Sequence, residues 1–136
     1  MIYLDTNILL YATLSVVDNK LQQQKAINVL KSAIKSELLV LSNLSLLEYS
    51  FVMKKAKEDS DKILKGINLF SSFVISENRD FKNYLVKKLD NDYSIKNSFD
   101  LYHTAFANFA GCKSLVTFDR GFKKFNNMFD LDIKIL

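Results

Sequence analysis

The chain lacks proline and tryptophan, and its 136 residues include only three glycines, one cysteine and one histidine. Without prolines or a glycine-rich tract, no linker divides the sequence, so we expect one domain over residues 1–136. The single Cys112 cannot form an internal disulfide. One cysteine and one histidine also cannot supply the ligands of an ordinary zinc site. A zinc centre built from these residue types is therefore excluded.

Long apolar runs are also missing. A run such as Leu38–Leu41 is far too short to cross a bilayer, and the opening Met-Ile-Tyr-Leu-Asp has no basic leader. We therefore expect a cytoplasmic protein with no membrane association and no signal peptide. Hydrophobic residues nevertheless make up 49% of the chain, which is enough for a buried core.

Arginine is scarce: all but Arg79 and Arg120 of the 19 basic residues are lysine, and the formal net charge is +4. A modest positive excess suits a polyanionic partner such as RNA. Lysine-rich solubility explains the same charge equally well, so charge alone decides nothing.

Short apolar runs alternate with longer amphipathic segments. Strands are predicted at Ile2–Leu4, Leu38–Leu41, Phe73–Ile75, Leu115–Phe118 and Ile133–Leu136. Helices are predicted at Leu21–Ile34, Leu44–Lys57, from Asp59 to about Phe70–Phe73, at Arg79–Leu89 and at Phe99–Phe109. Strands separated by helices predict an α/β fold with a mostly parallel sheet. In such sheets, ligands bind beyond the carboxyl ends of the strands.

Four of the 15 acidic residues lie in apolar surroundings, whereas most of the others lie in polar segments. Asp5 and Asp119 each follow a predicted strand. Glu48 and Asp100 each fall in an early turn of a predicted helix. All four therefore belong near the carboxyl edge of the sheet. Carboxylates crowded there repel one another unless a cation lies between them, and Mg²⁺ or Mn²⁺ prefers such oxygen ligands.

The same residues resemble the motifs of the PIN-domain family, especially its VapC-type toxin ribonucleases. The matching segments are Leu4-Asp5-Thr6-Asn7, Leu47-Glu48, Asp100-Leu101-Tyr102-His103-Thr104-Ala105 and Thr117-Phe118-Asp119-Arg120-Gly121-Phe122. Each motif alone is weak, but the ordered set spans almost the whole chain.

The resemblance implies a three-layer α/β/α sandwich around a five-stranded parallel sheet. It also implies one or two Mg²⁺ or Mn²⁺ ions and endonucleolytic hydrolysis of RNA. A small antitoxin protein and a homodimer are its implied partners. Asp5 and Asp100 are then the best candidates for direct metal ligands. Asp119 would ligate directly or through water, and Glu48 would hold a second ion or the attacking water.

Other polar residues lie beside these acids. Thr117 precedes Asp119 by two positions and so shares its side of the strand, where its hydroxyl can orient the carboxylate. Thr6 and Asn7 are further candidates for supporting the metal ligands. For all three, an ordinary strand or helix-cap role is the competing explanation. The candidates for RNA contact are Arg120, Lys123, Lys124 and His103. A solvated basic face explains the cations as well, and a lone histidine among aromatics is more often structural.

Two other functions compete with the toxin ribonuclease. A haloacid-dehalogenase-type phosphatase also places an aspartate after its first strand, but it usually needs a second one two positions later, where this chain has Asn7. A non-catalytic PIN-like binding module needs no acids, which makes the four filled positions unexpected. A PIN nuclease of RNA processing remains an alternative within the family.

Overall fold

The computed structural model describes residues 1–89 and 98–136. Its strands are β1 (Ile2–Leu4), β2 (Leu39–Val40), β3 (Ser114–Thr117) and β4 (Asp132–Ile135). Its helices are α1 (Thr6–Thr13), α2 (Lys20–Lys35), α3 (Asn43–Lys55), α4 (Ser60–Ser71), α5 (Arg79–Leu89) and α6 (Ser98–Phe109). A 3-10 helix, Arg120–Phe125, follows β3. The predicted α/β class is confirmed.

The sheet is parallel, in the order β2-β1-β3-β4. Ile2 of β1 is in register with Leu39 on one side and Ser114 on the other. Because β1 and β3 are adjacent and parallel, the residues that follow them emerge at the same edge of the sheet. Asp5 and Asp119 therefore lie at the carboxyl ends of neighbouring strands.

Apolar side chains cover both faces of the sheet, because successive strand residues point to opposite sides. Tyr3 and Leu115 face a core formed with α5, α6 and the 3-10 helix. Leu4 and Val116 face a second core formed with α1 to α4. The layers are therefore helix, sheet and helix, as the family resemblance implied.

The predicted count of five strands is wrong for the described residues. The segment expected to form the fifth strand makes one isolated parallel bridge, between Leu41 and Val74. Ile75 N–H donates to the Leu41 carbonyl, as in a parallel strand, but Phe73 N–H donates to the Phe70 carbonyl and Val74 N–H to the Ser71 carbonyl. The end of α4 therefore takes the hydrogen bonds that a longer strand would have needed.

Helix α1 was not predicted. It begins directly after Asp5, whose carboxylate accepts a hydrogen bond from the Thr6 amide at the helix start. Within residues 1–89 and 98–136, no helix is both long and apolar enough to span a membrane.

Candidate active site

Asp5 is a buried carboxylate at the junction of β1 and α1, with 6% of its surface exposed. Its Oδ1 accepts from the Thr6 amide at 2.8 Å, and its Oδ2 accepts from the Thr117 hydroxyl at 2.6 Å. Burial raises the pKa of Asp5, and Glu48 raises it further, while His103 and the two hydrogen bonds lower it. The net shift is upward, so the folded protein disfavours a bare negative charge at this position.

Thr117, the last residue of β3, is hydrogen-bonded to Asp5, the residue that follows β1. Its hydroxyl donates to Asp5 and accepts from Asn7 Nδ2 and from the Asp119 amide, both at 3.0 Å. Asn7 Oδ1 in turn accepts from the Phe118 amide at 3.3 Å. The structure therefore brings Thr117 and Asn7 into contact with the segments that carry both aspartates.

Asp119 is exposed and caps the 3-10 helix, where its Oδ1 accepts from the Gly121 amide at 2.7 Å. A Cβ atom on Gly121 would lie 3.0 Å from that same oxygen. Glycine therefore allows the backbone to approach the carboxylate closely.

Asp100 lies in the first turn of α6, half-buried, with Lys124 Nζ 3.6 Å from its Oδ2. Burial raises the pKa of Asp100, and the nearby Asp119 raises it further, whereas Lys124 and His103 lower it. Lys124, a candidate for RNA contact, thus lies beside a candidate metal ligand. Arg120 and Lys123 lie exposed on the same 3-10 helix.

His103 is buried, with 2% of its surface exposed, and both ring nitrogens have protein partners. Nε2 lies 2.5 Å from Glu48 Oε1, and Nδ1 lies 2.6 Å from the Tyr3 hydroxyl. The ring is therefore hydrogen-bonded to an acid and lies below the surface of the protein.

Sequence reasoning missed the partners of Tyr3. Its hydroxyl is hydrogen-bonded to Ser42 Oγ at 2.9 Å and Ser45 Oγ at 2.8 Å, and all three residues are buried. Ser42 is also the N-cap of α3, where its Oγ accepts from the Ser45 amide at 3.1 Å. The only sequence signal for the rest was a tyrosine two positions before Asp5.

Among the four acids, the charge of Glu48 raises the pKa of Asp5, and the charge of Asp119 raises that of Asp100. His103 interacts with three of the acids: it is hydrogen-bonded to Glu48, and it lowers the pKa of both Asp5 and Asp100. Over residues 1–89 and 98–136, no three or more His, Cys, Asp or Glu side chains are grouped closely enough to hold a metal ion.

The donor chemistry nevertheless fits a hard divalent cation. Burial raises the pKa values of Asp5 and Asp100 despite the cations near them, so a bound cation would favour their charged forms. Thr6 Oγ1, beside Asp5, is buried and has no hydrogen-bond partner within the described part of the chain. A buried hydroxyl of this kind usually has a partner. The residues therefore suit a cation by type, although the described residues do not already form a closed ligand shell.

The PIN-domain family model matches residues 2–127. Because this match spans almost the entire sequence, the chain belongs to the PIN-domain family. No curated protein matches the sequence.

Two solved structures share the fold. VapBC2 from Rickettsia felis, crystallised with a DNA fragment from its promoter, has a TM-score of 0.69 and 23% sequence identity; the match covers 100% of this chain and 99% of that one. VapC20 from Mycobacterium tuberculosis, a Sarcin-Ricin loop cleaving toxin, has a TM-score of 0.69 and 17% identity, with 93% and 95% coverage. At these identities, the likeness establishes the fold alone.

Proposed function

We propose that the chain is a metal-dependent endoribonuclease that hydrolyses RNA phosphodiester bonds, and that it is the toxin of a toxin–antitoxin pair. The observation that carries this proposal is the buried Asp5 carboxylate, which Thr117 connects to the Asp119 segment at the carboxyl edge of a parallel sheet. This is the edge at which α/β folds bind ligands.

Within this proposal, Asp5 and Asp100 ligate the metal directly, Asp119 ligates it directly or through water, and Glu48 holds a second ion or the attacking water. The cofactor is Mg²⁺ or Mn²⁺, in one or two copies. Such an ion lowers the pKa of bound water and stabilises charge on the leaving oxygen. Thr117 orients the Asp5 carboxylate, whose Oδ2 accepts a hydrogen bond from the Thr117 hydroxyl at an oxygen–oxygen distance of 2.6 Å.

The exposed cations beside Asp119 suit the phosphates of the substrate. Arg120 and Lys123 project from the 3-10 helix that follows Asp119. Lys124 lies 3.6 Å from Asp100 and is exposed enough to reach a phosphate bound there. These three cations are therefore proposed RNA contacts. His103 takes no part in RNA contact in this proposal, because its ring is buried.

The toxin assignment draws on the fold shared with VapC20, which is a toxin that cleaves RNA of the Sarcin-Ricin loop. We extend to this chain a small antitoxin partner, a homodimeric state and a cytoplasmic location. Exposed apolar side chains on α3 and α4, namely Leu47, Phe51 and Leu64, suit a protein partner. A PIN nuclease of RNA processing would share the chemistry but would not arrest growth when expressed alone.

Cleavage of RNA tests the proposal. With Mg²⁺ or Mn²⁺, the purified protein is expected to cut single-stranded or looped RNA and to leave 5′-phosphate and 3′-hydroxyl ends, because water rather than the 2′-hydroxyl attacks phosphorus. Asp5→Asn, Asp100→Asn and Asp119→Asn should each lose most of the activity while remaining folded, since each removes charge and keeps shape. End-labelled transcripts and a panel of tRNA and ribosomal RNA loops provide the readout.

Asn68→Ala, an exposed position on α4, is the matched control and should cleave like the wild type. Cleavage that survives EDTA, or products ending in 2′,3′-cyclic phosphate, would refute the mechanism. A full panel of RNAs left intact would favour the non-catalytic binding module.

A further inference from the structure

We propose that His103 is a positioning residue for Glu48, and that Tyr3 and the start of α3 hold His103 in place. The inference rests on the proposed function, because it takes Glu48 as a working acid. It assigns the only histidine of the chain a role below the site instead of on the RNA surface.

The direction of the hydrogen bonds follows from elementary chemistry. A carboxylate accepts hydrogen bonds and cannot donate them. His103 Nε2 therefore carries a hydrogen atom and donates a hydrogen bond to Glu48 Oε1 over a distance of 2.5 Å. At 2.6 Å, Nδ1 then pairs with the Tyr3 hydroxyl. With 2% of the residue exposed, water does not compete for either nitrogen. Because the ring is hydrogen-bonded on both sides, the position of the Tyr3 hydroxyl determines where Nε2 holds the Glu48 carboxylate.

The far end of this chain of hydrogen bonds is anchored on the helix that carries Glu48. The Tyr3 hydroxyl contacts Ser42 and Ser45, which lie at the start of α3 and are hydrogen-bonded to each other at 3.1 Å. The path thus runs from α3 through β1 and α6 and back to α3.

Each member of the path lies close in sequence to a candidate acid. Tyr3 is two residues before Asp5, and Ser45 is three before Glu48. His103 is three residues after Asp100, on nearly the same face of α6. The same buried hydrogen bonds therefore fix β1, α3 and α6 relative to one another at the point where the acids emerge.

The Glu48 side chain is free to change rotamer unless a hydrogen bond holds it. Its side chain is 31% exposed and has three rotatable bonds, so without a fixed partner it would sample several rotamers. The hydrogen bond from Nε2 selects one rotamer of Glu48 and holds its carboxylate against α6. Metal-binding groups that depend on such partners typically lose about 10- to 100-fold in affinity or activity when the partner is removed.

Two substitutions of similar size separate positioning from packing. In His103→Gln, the side-chain amide can still reach Glu48, whereas the amide of His103→Asn is one methylene shorter and can reach only toward Tyr3. We expect His103→Asn to reduce kcat or Mn²⁺ affinity about 10- to 100-fold with little change in the KM for RNA. His103→Gln should restore most of the loss.

Tyr3→Phe removes the hydroxyl that is hydrogen-bonded to His103 Nδ1 and keeps the aromatic ring in the core. It should give a smaller loss in the same direction. Tyr84→Phe is the matched control, because it also removes a tyrosine hydroxyl that is bonded to α6, through Asn108 Nδ2 at 2.9 Å, but far from the acids. Tyr84→Phe should leave kcat and Mn²⁺ affinity unchanged.

The decisive measurement is a double-mutant cycle with Glu48→Gln, using both RNA cleavage and Mn²⁺ titration as readouts. If His103 acts through Glu48, His103→Asn should have almost no further effect in the Glu48→Gln background. Fully additive losses, or equal losses in His103→Gln and His103→Asn, would overturn the positioning role. If the wild type binds Mn²⁺ but cuts no RNA, the ribonuclease proposal fails and the Mn²⁺ cycle alone decides the role of His103. A wild type that neither binds Mn²⁺ nor cuts RNA overturns both.

Discussion

The Thr117 hydroxyl uses all of its hydrogen-bonding capacity. Both of its acceptor positions are filled, by Asn7 Nδ2 and by the Asp119 amide, so its proton must point to Asp5. The residue is also fully buried, so no water can replace these bonds. At the scale of single residues, this side chain and the Thr6 amide together fix the orientation of the Asp5 carboxylate.

Thr117→Val tests this role, because valine keeps the shape and removes the hydroxyl. A buried carboxylate that loses such a hydrogen bond should lower the free energy of unfolding by about 1.5–3 kcal/mol, measured by urea denaturation in EDTA. RNA cleavage should fall as well. Thr117→Ser keeps the hydroxyl and removes one methyl group, so it should lose only about 1 kcal/mol and keep most activity. Equal behaviour of the two variants would show that packing, and not the hydroxyl, matters here.

Residue types could be predicted from the sequence at this scale, but side-chain partners could not. An acid after an apolar strand is visible as a pattern, and so is a threonine two positions before Asp119. The contact between Lys124 and Asp100 joins residues 24 positions apart, and it depends on how the 3-10 helix packs against α6. The bond between His103 and Glu48 spans 55 positions and depends on two helices meeting. No local pattern contains that information.

At the scale of elements, the strands were predicted to within one residue at each end, and α5 was predicted with its observed bounds, Arg79–Leu89. Helix α1 was missed for a physical reason. The apolar residues of Thr6–Thr13 form one continuous run in its middle, so the segment shows no helical period. Its N-cap, Asp5, was interpreted only as a metal ligand and not as the start of a helix. The predicted fifth strand is reduced to a single bridge, because the last carbonyls of α4 accept from the Phe73 and Val74 amides.

The packing of α3 against α4 depends on a small residue. A Cβ atom at Gly66 of α4 would lie 2.5 Å from the Tyr49 hydroxyl oxygen and 3.0 Å from its ring carbon Cζ. The Tyr49 ring is fully buried and packs edge-on against Phe70, with 5.2 Å between the ring centroids. It therefore cannot move away from a side chain at position 66. Glycine in the middle of α4 is therefore required by the close approach of the two helices.

Gly66→Ala sets two effects against each other. Alanine favours a helix by about 1 kcal/mol, whereas overpacking a core costs about 1–3 kcal/mol. Because the contact would be with a rigid buried ring, we expect net destabilisation of about 1 kcal/mol in urea denaturation. Asn68→Ala, on the exposed face of the same helix, gains the propensity without the clash and should be slightly stabilising. Stabilisation by both substitutions would mean that α4 can shift away from Tyr49.

At the scale of the whole molecule, the proposed metal site predicts that stability depends on divalent cations. Mg²⁺ or Mn²⁺ that binds only the folded protein should raise Tm, and at about 100 times its Kd the gain is about 2.7 kcal/mol. The double variant Asp5→Asn, Asp100→Asn should lose most of this rise and should be more stable than the wild type in EDTA. Thermal melts followed by circular dichroism measure both effects. A metal response that survives in the double variant would place the cation elsewhere.

The pH dependence of the metal-free protein gives an independent check. Burial raises the pKa of Asp5 above its ordinary value of 3.8, and burial also raises that of Asp100. Such groups favour the folded state while protonated, and this contribution is lost as the pH rises through the folded pKa. The stability advantage of the double variant should therefore be large at pH 7 and small near pH 4. A constant advantage at every pH would point to packing instead of charge.

The single histidine gives this molecule an unusual experimental property. In nuclear magnetic resonance, one imidazole ring produces one set of ring-proton and ring-nitrogen signals, with no overlap to resolve. That ring lies between Tyr3 and Glu48, so its nitrogen shifts report the hydrogen bonds on both sides. A cation, an RNA fragment or a partner protein that moves Glu48 must alter that one set of signals. The candidate site therefore carries its own spectroscopic probe, and ligands can be screened without attaching a label that would disturb it.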